Sequence, residues 1–186
     1  MDLTLTTATA EGAASPGALV RAALDGDEAS FALIIDRHRV SMTRVAYVVC
    51  GDADLAEEAV QAAWPIVWQR LTTLREPERL GPWLVSIAVN EARQLVRRRN
   101  RRSVVEIAVA THESERAPDP GASVADIDLA RCLSRLSPDD RSLLALRYVA
   151  GLDSTELGRG LGMSASGTRR RLARLLARLR EELGDA

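Results

Sequence analysis

Apolar residues recur at helical spacing along most of this chain, and a single long internal segment lacks that recurrence. Within residues 18–102 and 126–186, apolar side chains lie three or four positions apart, which is the pattern of amphipathic helices. Residues 103–125 lose this spacing and contain two prolines and a glycine, as linkers do. Only 3% of the residues are aromatic, which disfavours a β-sandwich or barrel. We therefore predict an all-α protein with two small helical domains joined by a flexible linker, after a disordered tail at residues 1–17.

Start and stop signals divide the first domain into helices. Helical periodicity and flanking glycines predict helices at about residues 18–24, 28–50, 53–71 and 82–99. Pro65 lies inside the third helix, where its ring removes a backbone hydrogen bond, so we expect a bend or a broken turn there. One stripe of the fourth helix is polar and becomes basic toward its end; it consists of Ser86, Asn90, Arg93 and Arg97.

In the second domain, capping signals define three successive helices. A serine–proline pair at 137–138 starts the first of them. Asp153, followed three residues later by Glu156, is a capping box that opens a short helix, which ends at Gly162. Ser164 then caps a longer last helix. A short helix, a turn and a longer helix form a helix-turn-helix, which inserts the start of its second helix into the major groove of DNA.

The formal net charge of −1 conceals two basic clusters and an acidic segment between them. Residues 97–102 contain five arginines, and residues 169–180 contain six arginines and no acidic residue. Residues 103–128 carry six acidic residues against one arginine. Basic clusters of this kind are typical of surfaces that contact DNA phosphates. The alternative interpretation is a solvated basic face on a helical bundle, and a basic helix end also suits the helix dipole.

The last helix supplies the candidate DNA-binding residues. Those expected to enter the major groove, where base edges are read, are Ser166, Gly167, Thr168, Arg169, Arg170 and Arg171. Arg174 and Arg178 continue along one edge of the helix and are expected to meet the phosphate backbone. Each phosphate that they neutralise should steepen the salt dependence of binding by about 0.9 log unit per log unit of salt.

Three sequence blocks, in this order, resemble the sigma-70 family of bacterial RNA polymerase sigma factors. The blocks are DLAEEAVQ at residues 54–61 with Trp64 and Trp68 after it, WLVSIAVNEA at 83–92 with the arginine cluster after it, and LSP at 136–138, LLALRY at 143–148 and the segment 151–172. They are similar to region 2.2, to regions 2.3 and 2.4, and to region 4. With only regions 2 and 4 and a short linker, the chain resembles the extracytoplasmic-function type.

The resemblance implies a sigma factor that directs promoter-specific transcription initiation by binding core RNA polymerase. The residues implied to dock on the clamp helices of the largest subunit are Glu57, Glu58, Gln61 and Trp64. Those implied to face the −10 promoter element are Arg75, Arg79, Trp83, Asn90, Arg93 and Arg97. The last helix is implied to read the −35 element, and the second domain to contact the polymerase flap. Thr168 stands where the recognition helix of this family usually has an apolar residue. An anti-sigma factor that clamps both domains is expected as a further partner.

Two other functions remain open from the residues alone. A stand-alone helix-turn-helix regulator accounts for the end of the chain but leaves residues 18–102 without a role. A helical protein that binds partners through its acidic linker needs no DNA contact at all. An enzyme is not expected, because His38 and His112 are isolated and no metal-ligand spacing or Ser/His/Asp set is present. No cofactor or metal is therefore predicted.

Three further expectations concern the core and the cell compartment. Cys50 and Cys132 are expected to be reduced core thiols, with a redox switch as the alternative. The aromatic residues on apolar stripes, which are expected in the core, are Phe31, Tyr47, Trp68 and Tyr148. No apolar run reaches about 18 residues and residues 1–16 lack a signal-peptide pattern, so a cytoplasmic protein is expected.

Overall fold

In this computed structural model, the structure describes residues 15–105, 129 and 131–184, and the regular structure within them is helical, which confirms the predicted all-α fold. The helices are α1 (Pro16–Leu24), α2 (Glu28–Cys50), α3 (Ala53–Arg70), α4 (Leu80–Val105), α5 (Pro138–Tyr148), α6 (Ser154–Leu161) and α7 (Ala165–Gly184). Two short 3₁₀ turns, η1 (Leu71–Thr73) and η2 (Pro77–Arg79), lie between α3 and α4. None of the helices in these ranges combines the length and apolar character that a bilayer crossing requires. Most of the predicted tail and linker, residues 1–14 and 106–128, lies outside the described residues.

Local capping residues set where the first helices begin. Ser15, Asp27 and Asp52 each accept a backbone N–H from the first turn of the helix that follows. These bonds satisfy donors that the start of a helix leaves without an internal partner. α1 begins at Pro16, two residues before the predicted start, because a proline at the first helical position loses no hydrogen bond. α2 ends at Cys50, and the next residue, Gly51, caps it with a φ of +69°, which favours glycine over any other residue.

The first domain is formed mainly by α2, α3 and α4, which pack against one another around a shared apolar core. α3 contributes Ala59 and Ala63, and α4 contributes Ala88, all without exposed surface. Alanines at these positions allow helix backbones to approach closely, and larger side chains such as Ile34 and Met42 of α2 fill the remaining interior. α1 packs against α2 at the edge of this bundle.

Two helices of the first domain differ from the pattern-based expectation. α3 continues through Pro65, so of the two predicted outcomes the broken turn does not occur. α4 is 26 residues long, begins at Leu80 rather than at residue 82, and extends to Val105, past the predicted domain boundary at residue 102. Arginine is a good helix former, and no glycine or proline occurs from Trp83 to Val105. The helix therefore has no local reason to stop at the arginine cluster.

The second domain encloses a smaller core between α5, α6 and α7. Leu143 of α5 and Leu157 of α6 have no exposed surface, and Leu175 and Leu179 of α7 are buried in the same cluster. Leu183, one turn after Leu179, is 39% exposed. The apolar face of α7 therefore packs inward at Leu175 and Leu179 and reaches solvent near the end of the helix.

The two domains contact each other through α5. This helix packs against both α2 and α4 of the first domain. The buried apolar residues of the two domains form one cluster. The linker pattern alone had left the distance between the domains undefined, and the structure brings them into direct contact.

The four aromatic residues predicted for the core divide evenly. Phe31 and Tyr47 are partly buried and pack against the core. Trp68 is 45% exposed and Tyr148 is 61% exposed, so the prediction was wrong for these two residues. Helical spacing identifies an apolar stripe, but it does not say how much of that stripe a neighbouring helix covers.

Both cysteines are free thiols. Cys132 is buried in the core, as predicted, whereas Cys50, the last residue of α2, is partly exposed. Burial raises the pKa of the Cys50 thiol to about 11. The thiol is therefore protonated, and weakly nucleophilic, at neutral pH.

A pair of glycines in α6 tests how closely this helix approaches the turn that follows it. A Cβ at Gly158 would lie 2.6 Å from the carbonyl oxygen of Met163, whereas a Cβ at Gly160 would meet nothing within 4 Å. We expect Gly158→Ala to lower the urea midpoint of unfolding, because the backbone of the turn must shift. Gly160→Ala should leave it unchanged or raise stability by about 0.5–1 kcal/mol, because alanine is the better helix former. Far-UV circular dichroism measures both, and equal midpoints for the two variants would contradict the close packing.

Candidate nucleic-acid and polymerase interfaces

Helices α6 and α7 form a helix-turn-helix whose geometry is set by local hydrogen bonds. The N–H of Glu156 donates to Asp153 Oδ1 at 2.8 Å, and the N–H of Asp153 donates to Glu156 Oε2 at 2.8 Å. This reciprocal pair is the predicted capping box. At the other end of α6, Gly162 adopts a φ of +69°. Ser164 Oγ then accepts the N–H of Gly167 at 3.1 Å and caps α7, as predicted.

An exposed basic face runs along α7 from its first turn. Ser166, Arg169, Arg170 and Arg174 are all exposed. Their spacing of three, four and eight residues from Ser166 puts them on one side of the helix. Arg178 is exposed further along the helix. Its Nη2 lies 3.8 Å from Oε1 of Glu182, one turn later. Five of the eight residues predicted for DNA contact by α7 are therefore exposed.

The remaining three residues of the predicted recognition set are less available. Thr168 has no exposed surface, and its Oγ1 donates to the carbonyl oxygen of Ser164 at 3.0 Å. The threonine thus occupies a buried position by satisfying its hydroxyl within its own turn, and a DNA base cannot reach it. Arg171 Nε donates to Asp140 Oδ1 at 2.8 Å, which ties α7 to α5. Gly167 is partly exposed.

The polar stripe of α4 meets an acidic residue of the second domain. Arg93 Nε donates to Asp139 Oδ1 at 3.1 Å, and Arg97 Nη2 donates to both carboxylate oxygens at 3.1 Å. The Arg93 side chain is 10% exposed and that of Arg97 is 57% exposed. Burial alone would raise the pKa of Asp139, but the hydrogen bonds and charges of Arg97 and Arg93 outweigh it and hold this pKa below its usual value.

Asp139 is the main residue of the site that the sequence pattern did not identify. From the sequence it was only an acidic residue in the first turn of a helix, where it suits the helix dipole. Its arginine partners lie 46 and 42 residues earlier in the chain. No local signal connects residues at that separation, so only the packing of α5 on α4 reveals the pairing.

Two clefts separate α4 and the loop before it from α6. The first, of about 330 Å³, is lined by Asn90, Arg93 and Arg97 together with Gly160 of α6. Asn90, the third −10 candidate on this stripe, is partly exposed. The predicted −10 stripe of α4 therefore faces a cleft to which the second domain contributes.

The second cleft contains the other three −10 candidates. Its volume is about 380 Å³, and Arg75, Arg79 and Trp83 line it together with Glu156 of α6. Arg79 Nη1 lies 3.3 Å from Glu156 Oε1. Arg75 and Arg79 are exposed, whereas Trp83 is partly buried. The structure thus brings all six predicted −10 residues to one side of the first domain, next to α6.

The outer face of α3 carries the predicted polymerase contacts. Glu57, Glu58 and Gln61 are exposed, and Trp64 is partly buried. Trp64 and Trp68 both pack their rings against Phe31 of α2, with centroids 6.2 Å and 4.7 Å away. Trp68 follows Trp64 by four residues and therefore extends the same face. It was expected in the core, and its exposure makes it an additional candidate.

Comparison with protein families supports the order of the two domains. The family described as sigma-70 region 2 matches residues 34–102, and the family described as sigma-70 region 4 matches residues 126–179. The RNA polymerase sigma factor CarQ of Myxococcus xanthus is 31% identical over 165 residues, which is 87% of this chain and 93% of CarQ. The probable RNA polymerase sigma factor RfaY of Xanthomonas campestris pv. campestris is 29% identical over 166 residues. That match covers 85% of this chain and 41% of RfaY.

Among solved structures, the fold is shared with the sigma factor RpoE in its complex with the anti-sigma factor NepR from Bartonella quintana. The TM-score is 0.67 at 23% identity, over 83% of this chain and 96% of that one. Relatives named as ECF sigma factors include BldN of Streptomyces coelicolor, which is 28% identical over 173 residues. This match covers 87% of this chain and 64% of BldN. With both domain families matched in order and CarQ matched over nearly its whole length, the chain belongs to the extracytoplasmic-function type of the sigma-70 family of RNA polymerase sigma factors.

Proposed function

We propose that this sigma factor binds core RNA polymerase through α3, reads the −35 element with α7, and reads the −10 element with α4 and the loop before it. The observation that carries the proposal is the exposed basic face at the start of α7, in the second helix of a helix-turn-helix. By the family resemblance, the second domain is also proposed to contact the polymerase flap. In this arrangement the protein selects the promoter, and the polymerase performs the chemistry.

The first two turns of α7 carry the proposed base contacts. Arg169 and Arg170 are exposed there, and an arginine that bonds a guanine through two donors discriminates against the wrong base by about 1–3 kcal/mol. Ser166 lies in the first turn, where the positive end of the helix dipole favours a nearby phosphate. Arg174 and Arg178 lie further along and are proposed to contact the phosphate backbone.

The proposed −10 surface combines arginines with few groups that can hold a base. It comprises Arg75, Arg79, Trp83, Asn90, Arg93 and Arg97. Opening a duplex requires unstacked bases to be captured by stacking or by hydrogen bonds. Trp83 is the aromatic residue of this set and Asn90 is its amide. Promoter opening is therefore proposed to depend on very few captured bases.

The proposed polymerase surface is the outer face of α3. Glu57, Glu58, Gln61 and Trp64 are its predicted residues, and Trp68 joins them because it is exposed on the same side. Large aromatic side chains surrounded by polar groups are typical of the residues that dominate binding energy at protein interfaces. The acidic residues would pair with basic residues of the polymerase and set the orientation of docking.

The same function determines the expected compartment and the expected regulator. Core polymerase and the chromosome lie in the cytoplasm, so a protein that joins them acts there. An anti-sigma protein that covers the α3 face and the DNA-binding faces would keep the factor inactive. The complex of RpoE with NepR supports this proposal, since it shows a protein of this fold bound by an anti-sigma factor.

The DNA-reading role of α7 is tested by run-off transcription with core polymerase on a library of genome fragments. Start sites that require the protein should share upstream elements. On such a template, Arg169→Ala combined with Arg170→Ala should reduce transcript yield at least tenfold, because each lost base contact costs about 1–3 kcal/mol. Arg169→Ala alone should also reduce the yield. Arg180→Ala, which removes the same single charge from an exposed position three turns later on the same helix, is its matched control and should retain most of the yield. Equal losses in the two single variants would show that bulk positive charge, and not a recognition face, is what α7 provides.

The docking role of α3 is tested by direct binding to core polymerase. Glu57→Arg combined with Glu58→Arg should weaken binding at least tenfold, because the substitutions reverse two exposed charges on the proposed contact face. Asp36→Arg, which reverses an exposed charge on α2, is the control. Fluorescence anisotropy of labelled protein titrated with core polymerase gives both affinities. An unchanged affinity for the α3 variant would locate the polymerase contact elsewhere.

A further inference from the structure

We propose that the second domain inhibits promoter binding within the same chain, because Asp139 of α5 and Glu156 of α6 pair with the arginines that would contact the −10 DNA. The inference rests on the proposed −10 role of α4 and the loop before it. It adds a closed state in which acids of the same chain occupy three arginines of the proposed −10 surface, without any second protein.

Arginines of the proposed −10 surface are already paired with carboxylates of the second domain. A carboxylate and a DNA phosphate are both anionic oxygen acceptors for a guanidinium group. Asp139 accepts hydrogen bonds from Arg93 and Arg97 at 3.1 Å, and Glu156 lies 3.3 Å from Arg79. Three of the four arginines proposed for the −10 surface are therefore already paired with acids of the second domain. A phosphate can bind these groups fully only after the carboxylates leave.

The second domain also limits the access of DNA to the proposed −10 surface. Arg93 is 9% exposed as a residue in this structure, so a DNA strand cannot reach it. The clefts next to Asn90 and Trp83 are each lined by residues of α6 as well as of the first domain. Glu156 is also the third residue of α6 and closes its capping box with Asp153, so its position is fixed by that helix. The helix that begins the DNA-binding motif of the second domain therefore lies beside the proposed −10 surface.

The closed arrangement also buries a residue of the second domain against the first. Arg141 of α5 is 9% exposed and lies against Gly51, where a Cβ would be 3.3 Å from its Nη1. This is the carboxyl end of α2, whose free carbonyl groups favour a cation. Burial lowers the pKa of Arg141, yet a guanidinium remains charged at neutral pH. Contact between the domains is thus not limited to solvent-exposed ion pairs.

The other two surfaces remain open in the closed state. The basic face of α7 and the outer face of α3 are exposed while Arg79, Arg93 and Arg97 are paired with acids of the second domain. A closed molecule can therefore still bind core polymerase through α3. Separation of α5 and α6 from α4 is the step that then releases Arg79, Arg93 and Arg97.

The test removes the two carboxylate charges without changing side-chain size. Asp139→Asn combined with Glu156→Gln should open the molecule, and glutamine at the third position still supports the α6 cap. Asp36→Asn combined with Glu28→Gln is the control, since it removes the same charge from two exposed acids of α2. Both variants are compared with the full-length wild-type protein, in the absence of polymerase. Far-UV circular dichroism verifies that each is folded.

Two measurements report opening. Small-angle X-ray scattering should give a larger radius of gyration for the Asp139/Glu156 variant than for the wild type or the control. A fluorescein-labelled duplex of mixed sequence is the DNA probe, and its anisotropy measures affinity over a range of salt. Three released arginines should steepen the dependence of log Kd on log salt by up to roughly 2.7, at about 0.9 for each phosphate contact.

The outcomes separate this inference from the proposed function. An unchanged radius of gyration, or a gain in DNA affinity no larger than that of the charge-matched control, overturns the closed state. This holds even if run-off transcription shows that the protein is an active sigma factor. Conversely, opening of the variant without any protein-dependent start sites would support the closed state and reject the promoter function on which its meaning depends.

Discussion

The packing of α4 on two sides is the constraint on which the rest of the structure depends. One side of the helix contributes Leu84 and Ala88 to the core of the first domain, both without exposed surface. Another side presents Arg93 and Arg97 to Asp139 of the second domain. Because one rigid helix has both roles, the core of the first domain fixes where the second domain docks. It also fixes which of the proposed −10 arginines pair with the second domain.

The energetics of this contact suit a reversible arrangement. A partly exposed ion pair such as Arg97–Asp139 contributes only about 0–1 kcal/mol. Arg93 differs, because its side chain is 10% exposed and removal of Asp139 would leave a largely buried charge without its partner. The packing of α5 against α2 and α4 adds burial of apolar surface, which is worth about 25 cal/mol per Å². The contact is therefore specific in its pairing, and its solvent-exposed ion pairs contribute little to its strength, which suits the proposed opening.

Much of the architecture follows from short-range chemistry, which is why it could be predicted. Ser15, Asp27, Asp52, Ser137 and Asp153 all cap helices through bonds to residues two or three positions ahead. The helix-turn-helix and its basic second helix were predicted from the same kind of signal. The prediction was wrong where burial depends on a neighbouring element, as at the exposed Trp68 and Tyr148.

The sequence by itself determined the all-α fold, the order of the two domains and the exposed arginines at the start of α7. Each of these depends on periodicity, caps or charge within a few residues. The tertiary structure alone decided that Thr168 is buried, that Asp139 pairs with Arg93 and Arg97, and that α6 lies beside the proposed −10 surface. The paired groups of the two domains are 42 to 77 residues apart in the chain. No local pattern encodes a contact at that distance, and the packing of α5 against α2 and α4 creates it.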